Sequence, residues 1–179
     1  GRYRLAGAGA DDIGLQSGGW TISWQGTGNV NSDFPGGSSI LDGFVRHAQQ
    51  AGGDVSLYDP TESGPQPDAV IMVMAENPYA EGQGDIDTLA WQQGNSRDLA
   101  LIRQIKDQGI PVVTVFLTGR PMWVNAEINA SDAFVVAWLP GSEGAAVADV
   151  LLAAPTGTAP YDFVGRLPMP WPNHDLNPD

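Results

Sequence analysis

The chain has 179 residues, 42% of them hydrophobic, which is enough for one well-buried domain and gives no sign of two. It carries 21 acidic against 8 basic side chains, a formal charge of −13, and that balance repels phosphate backbones and anionic lipid, so neither nucleic acid nor membrane is expected as a partner. Cysteine is absent, which excludes disulfides and thiolate metal sites. No apolar run approaches the roughly 20 residues that span a bilayer, and no signal-peptide pattern is present. Gly1 is not an initiator methionine, and the chain reads as a piece of a longer or processed polypeptide.

In chain order, apolar strand-like runs alternate with helical patterns. Residues 3–9 read as a short first strand. Residues 38–50 read as a helix, with Ser38 or Ser39 as its cap and Leu41, Phe44, Val45 and Ala48 on one face at i, i+3, i+4 and i+7. A brief strand follows at 55–58. The continuous apolar run at 69–74 has the composition of a strand buried on both faces of a parallel sheet. Residues 97–108 predict a helix with Leu99, Ile102 and Ile105 inward, closed by Gly109 with Pro111 beyond. Strands are expected at 111–117 and 133–138, helices at 123–129 and 143–152, and Trp138 in the core.

This alternation predicts an α/β fold, a mostly parallel sheet with helices on both faces. The expected sheet is six-stranded, in a single α/β sandwich domain over 1–179. Residues 155–179 form a proline-rich tail with too little periodicity for a packed element of its own.

Two connections are too long to be simple links, 11–37 and 77–95. The second follows the run at 69–74, and the carboxyl ends of such strands are where open α/β sheets keep their ligand crevices. It carries two carboxylates, Glu76 and Glu81, with Tyr79 between them, and Pro78, Gly82 and Gly84 favour a shaped loop over a helix. Glu81 near the tip is the preferred candidate acid. Glu76, closer to the strand, is expected to shape the loop through hydrogen bonds. The first long loop carries Trp20 and Trp24 among glycines. Indole faces suit the C–H faces of a sugar ring, and Gln25 and Asn29 could bond its hydroxyls, so carbohydrate is the natural ligand class. One tryptophan is expected to staple the loop to the sheet and the other to face the ligand. Arg120 and Glu143 are expected to contact each other, the sugar or another domain.

Other readings carry less. Gly7-Ala-Gly9 begins a dinucleotide fingerprint, but its third glycine position holds Asp12. Asn29, Asn31 and Asp33 alternate like a calcium loop, but Phe34 and Ile40 occupy its glycine and glutamate positions. His47 and His174 lack metal-ligand spacing, so neither a metal nor a cofactor is expected.

The segments Gly9-Ala-Asp-Asp12, Gly18-Gly-Trp-Thr-Ile-Ser-Trp-Gln-Gly26, Glu76-Asn-Pro-Tyr-Ala-Glu-Gly-Gln-Gly-Asp85, Thr118-Gly-Arg-Pro121, Ala137-Trp-Leu-Pro-Gly-Ser-Glu-Gly144 and Gly165-Arg-Leu-Pro168 together resemble the second domain of family 3 glycoside hydrolases, in the exo-β-glucanase and β-glucosidase branch. The resemblance runs from about residue 7 to 171. It implies a retaining, exo-acting enzyme that releases glucose from non-reducing ends of β-glucans or β-glucosides. In that family an N-terminal (β/α)8 barrel supplies an aspartate nucleophile and most of the glucose pocket, while the α/β sandwich supplies the general acid/base from a loop. The acid/base falls on Glu81 and the sugar-stacking tryptophan on Trp24. The barrel is not in this chain, so the chain alone is expected to be inactive. The resemblance also implies a periplasmic or secreted enzyme. The alternative is a stand-alone carbohydrate-binding or partner-binding module without catalytic activity.

Overall fold

A computed structural model describes residues 1–153, 157 and 161–173. Its strands are β1 (Arg2–Ala6), β2 (Asp54–Leu57), β3 (Ala69–Ala75), β4 (Val112–Leu117) and β5 (Ala133–Trp138). Its helices are α1 (Ile13–Ser17), α2 (Ile40–Ala51), α3 (Arg97–Asp107), α4 (Asn125–Ala130) and α5 (Ala145–Leu151). The fold is α/β, but the sheet has five strands rather than the expected six, in the order β2-β1-β3-β4-β5. Every pairing is parallel.

Why the apolar runs lack polar alternation is plain from the two cores. Val70, Met72 and Met74 of β3 pack with Ile102, Ile105 and Phe116 on one face. Ile71 and Val73 pack with Leu5, Ile40, Phe44 and Val115 on the other. Both faces are dry, so both parities must be apolar. Helices α3 and α4 cover the first face, α2 and α5 the second.

Helix boundaries follow their caps. The Ser39 hydroxyl accepts from the Asp42 N–H at 3.1 Å while the Asp42 carboxylate accepts from the Ser39 N–H at 2.8 Å, so α2 starts at Ile40. Its buried face centres on Ile40 and Phe44, with Leu41 and Val45 only half-buried. In α3 the expected inward residues Leu99, Ile102 and Ile105 are all buried. Helix α4 starts later than expected because Trp123 is still in backbone pairing, donating to Leu89 O at 2.8 Å and accepting from Trp91 N at 3.1 Å.

Three expectations are corrected. Strand β1 ends at Ala6, not at residue 9. Gly7 turns at φ +90 so close to β3 that an added Cβ would sit 2.3 Å from the Val73 carbonyl oxygen. Helix α1 lies inside what reads as an unstructured loop. Trp138 is not a core residue: it ends β5 at φ +55, is 37% exposed and lies against Trp171 in a tilted contact with ring centroids 5.9 Å apart. In the tail, Trp171 packs onto the α3/α4 face and the Asn173 carbonyl accepts from Asn125 Nδ2 at 3.1 Å. Residues 154–156, 158–160 and 174–179, and with them His174, lie outside the described residues. No described helix is long and apolar enough to cross a membrane.

The strand order fixes where a site can form. From β1 the chain runs through α2 to β2 on one side, and from β3 through α3 to β4 on the other. The connections leaving β1 and β3 therefore diverge to opposite faces of the sheet, opening a crevice at their carboxyl ends. Both long loops of the sequence start at those two strand ends.

Candidate functional site

Built upward from β3, the site begins with Glu76, the first residue past the strand. Its backbone N–H donates to Leu117 O of β4 at 2.9 Å, continuing the ladder. Its carboxylate is largely buried and engaged on both oxygens: it takes the Arg120 Nε–H at 2.8 Å on one, and the Thr118 hydroxyl at 2.8 Å and the Gly119 N–H at 3.3 Å on the other. This is a loop-shaping carboxylate, held by the turn after β4.

Arg120 does more than pair with Glu76. Its Nη1 donates to the Gly84 carbonyl at 2.6 Å, and its Cζ lies 3.8 Å from the centroid of the Tyr79 ring. Burial pushes the Tyr79 hydroxyl up from its ordinary value, with the Glu76 charge adding to it and Arg120 opposing. Of the contacts open to Arg120 and Glu143, the one with each other is not made: Glu143 is exposed at the turn before α5.

Glu81 stands at the start of a 3₁₀ turn, Glu81–Gly84, exposed and in the left-handed region at φ +45. That conformation is unfavourable for a glutamate and persists only where the surroundings determine it. Its carboxylate accepts a hydrogen bond from the Trp24 indole Nε1–H, so the tips of the two long loops meet.

The first loop is launched by α1, whose N-terminus is capped by Asp12 accepting from Leu15 N at 2.9 Å. Trp20 and Trp24 follow, 69% and 58% exposed, with ring centroids 6.1 Å apart and a backbone bond from Trp20 N to Trp24 O at 2.9 Å. The expected division, one ring stapling the loop and the other free, is not met, since both are exposed and rest against each other. Gln25 and Asn29 serve the loops instead of pointing freely at a ligand. Gln25 Oε1 accepts from Ala80 N at 2.8 Å, and Asn29 Nδ2 donates to the carbonyls of Thr21 and Gly26 at 3.1 Å each. Asn31 and Asp33 likewise accept from the backbone of Ile13 and Val30.

Gln16, not singled out from sequence, is the buried hub under this end. Its Nε2 donates to Gly141 O at 2.8 Å and Ser38 O at 3.1 Å, and its Oε1 accepts from Ile40 N at 3.1 Å. A polar residue in a five-residue helix offers no sequence signal for that role.

Between the loops lies a cleft of about 220 Å³ lined by Gly18, Gly19, Glu76, Asn77, Tyr79 and Leu139. The arrangement sets the exposed Glu81 carboxyl beside the tilted Trp20–Trp24 pair where the two loops meet, with the largely buried Glu76–Arg120 ion pair bracing the loop behind it. It can present an acid or base and an aromatic platform to a ligand. Among the described residues no three His, Asp or Glu side chains converge as metal ligands.

Comparison with known proteins bears on this arrangement. The glycosyl hydrolase family 3 C-terminal domain matches residues 2–178. A lysosomal β-glucosidase of Dictyostelium discoideum is 32% identical over 181 residues, 90% of this chain and 22% of that protein. A periplasmic β-glucosidase of Salmonella typhimurium is 32% identical over 119 residues, 63% of this chain and 15% of that one. Among solved structures, an exo-1,3/1,4-β-glucanase from a Pseudoalteromonas species superposes with a TM-score of 0.93 at 52% identity, over 98% of this chain and 22% of that one. A β-glucosidase from Listeria innocua, at 22% identity and a TM-score of 0.62 over 84% of this chain, shares the fold. The chain thus spans between 15% and 22% of the length of these relatives.

Proposed function

We propose, from the premise that this chain belongs to the glycosyl hydrolase family 3 C-terminal domain family, that it is the acid/base-bearing domain of a retaining, exo-acting β-glucan glucohydrolase or β-glucosidase. Glu81 protonates the departing glycosidic oxygen and then activates water. Trp24 and Trp20 stack on the sugar. The aspartate nucleophile and most of the glucose pocket come from a (β/α)8 barrel in the same polypeptide.

The observation that carries this reading is the contrast between the two loop carboxylates. Glu76 is largely buried and both its oxygens are already engaged, by Arg120 on one and by Thr118 and Gly119 on the other, so it is held as part of the loop's frame. Glu81 is exposed, at the loop tip, and hydrogen-bonded to the tryptophan of the opposite loop. Retaining hydrolysis uses two carboxyl groups about 5–5.5 Å apart. The engagement of Glu76 fits the family pattern, in which the nucleophile comes from another domain. The cleft agrees with this, since its 220 Å³ falls below the roughly 300–1,000 Å³ of complete small-molecule pockets. It is one wall of a site. The exposure of Trp20, Ile22 and Trp24 together favours a second reading, a glycan- or partner-binding module without catalysis.

The two separate by experiment. The complete polypeptide and this 179-residue chain are assayed on an aryl β-glucoside, with the anomeric configuration of the released sugar followed by NMR. The proposal expects activity with net retention in the first and none in the second. Inactivity of both, with glucan binding intact, favours the binding module.

A further inference from the structure

We infer that Arg120 is a positioning residue for Glu81, an assignment that rests on the reading of Glu81 as the acid/base. One guanidinium grips the loop at three points. Its Nε holds Glu76 where the loop leaves β3, its Nη1 holds the Gly84 carbonyl at the far end of the 3₁₀ turn, and its plane lies over the Tyr79 ring in between. Glu76 is tied in turn to Thr118 and Gly119, so the brace is fixed to the end of β4 and through it to the sheet.

Glu81 falls between Tyr79 and Gly84, inside the braced span. Its left-handed backbone is not one a glutamate adopts by preference, and the hydrogen bond its carboxyl accepts comes from another loop. The position of its carboxyl is therefore set jointly by its own loop, which Arg120 braces, and by the contact from the Trp24 loop. The Tyr79 ring lies close against both loop segments: an added Cβ on Gly84 would lie 2.5 Å from the ring, and one on Gly119 would lie 2.8 Å from the hydroxyl. Lysine cannot replace the device, because an ammonium is a point charge and has neither the fork that reaches Glu76 and Gly84 together nor the flat face that stacks on Tyr79.

Arg120 touches the loop and not the reacting atoms, so its effect must appear as misplacement of the acid. The test uses the complete polypeptide and a series of aryl β-glucosides of rising leaving-group pKa, with kcat/KM as the readout, since that constant reports the step in which the leaving oxygen is protonated. Parent, Glu81→Gln, Arg120→Lys and Tyr79→Leu are compared. Arg120→Lys is expected to lose about 10- to 100-fold on the poorest leaving groups, as a displacement near 1 Å does, with little loss on the most activated and little change in KM. Tyr79→Leu keeps the ion pair and guards against a fold defect; its loss is graded in the same direction and smaller. Uniform or absent losses in both variants, while Glu81→Gln stays graded, overturn the brace alone. A uniform loss in Glu81→Gln itself overturns the acid assignment, and the brace with it.

Discussion

Replacing Gln16 by leucine tests how the site end of the sheet is held together. The substitution keeps the volume and removes three hydrogen bonds. Ser38 O retains a partner, the Gly144 N–H at 3.1 Å, so it is not orphaned. The Gly141 carbonyl loses the Nε2 donor at 2.8 Å and the first N–H of α2, at Ile40, loses its acceptor at 3.1 Å. The buried Ile40 N–H left without a partner costs about 1–3 kcal/mol and the half-buried Gly141 carbonyl less, so the expected destabilisation is about 1–4 kcal/mol. Against a total of about 5–15 kcal/mol for a domain, that is a large fraction. Urea unfolding followed by far-UV circular dichroism reads it as a fall in midpoint at unchanged slope. Gln16→Glu should cost at least as much, because its carboxylate would face the Ser38 and Gly141 carbonyls. A loss below about 1 kcal/mol for the leucine variant would show that water replaces Gln16 and would refute the reasoning.

Two further perturbations address the core charge and the loop contact. Burial first, and then the Asp98 charge, raise the Glu127 carboxyl above its ordinary value, against its own backbone N–H and Arg103. A folded carboxyl raised in this way keeps its proton longer than the unfolded one. Its stability is fully present below the unfolded value of 4.5 and is lost as pH rises from there through the folded value. Glu127→Gln should therefore be more stable than the parent at about pH 7 and equal to it near pH 4; an identical gap in urea midpoints at both pH values would contradict this. An added Cβ at Gly19 would lie 2.0 Å from the Tyr79 carbonyl oxygen, so Gly19→Ala must part the two loops that bring Trp24 to Glu81. The complete polypeptide carrying it should lose about 100-fold in kcat/KM on oligosaccharides with little change in melting temperature, and retention of full activity would show that the contact is dispensable.

Much of the fold was legible because its strands are continuous apolar runs and its longer helices have caps or amphipathic faces. The Ser39 cap, the inward face of α3 and the position of both long loops all follow from local pattern. What failed was short or tertiary. Helix α1 has five residues, too few for periodicity. Trp138 looked like core because its neighbours are apolar, yet a register shift at Phe116/Leu117 turns it out at the strand end. Gln25 and Asn29 carry amides that suit a sugar hydroxyl as well as a backbone group, and the sequence cannot tell which will be nearer. The Arg120–Glu76 pair spans 44 positions, and nothing local announced that Arg120 would choose Glu76 over Glu143.

The measurement that bears most directly on Glu81 is the pH dependence of kcat/KM for an aryl β-glucoside whose leaving group is poor enough to need protonation, in the complete polypeptide and its Glu81→Gln variant. The alkaline limb of such a profile reports the free enzyme's essential acid. The account predicts a bell for the parent and, in the variant, an acid limb alone with the alkaline limb gone. An alkaline limb that survives Glu81→Gln unchanged would mean that another group donates the proton, and the assignment of Glu81 would be wrong.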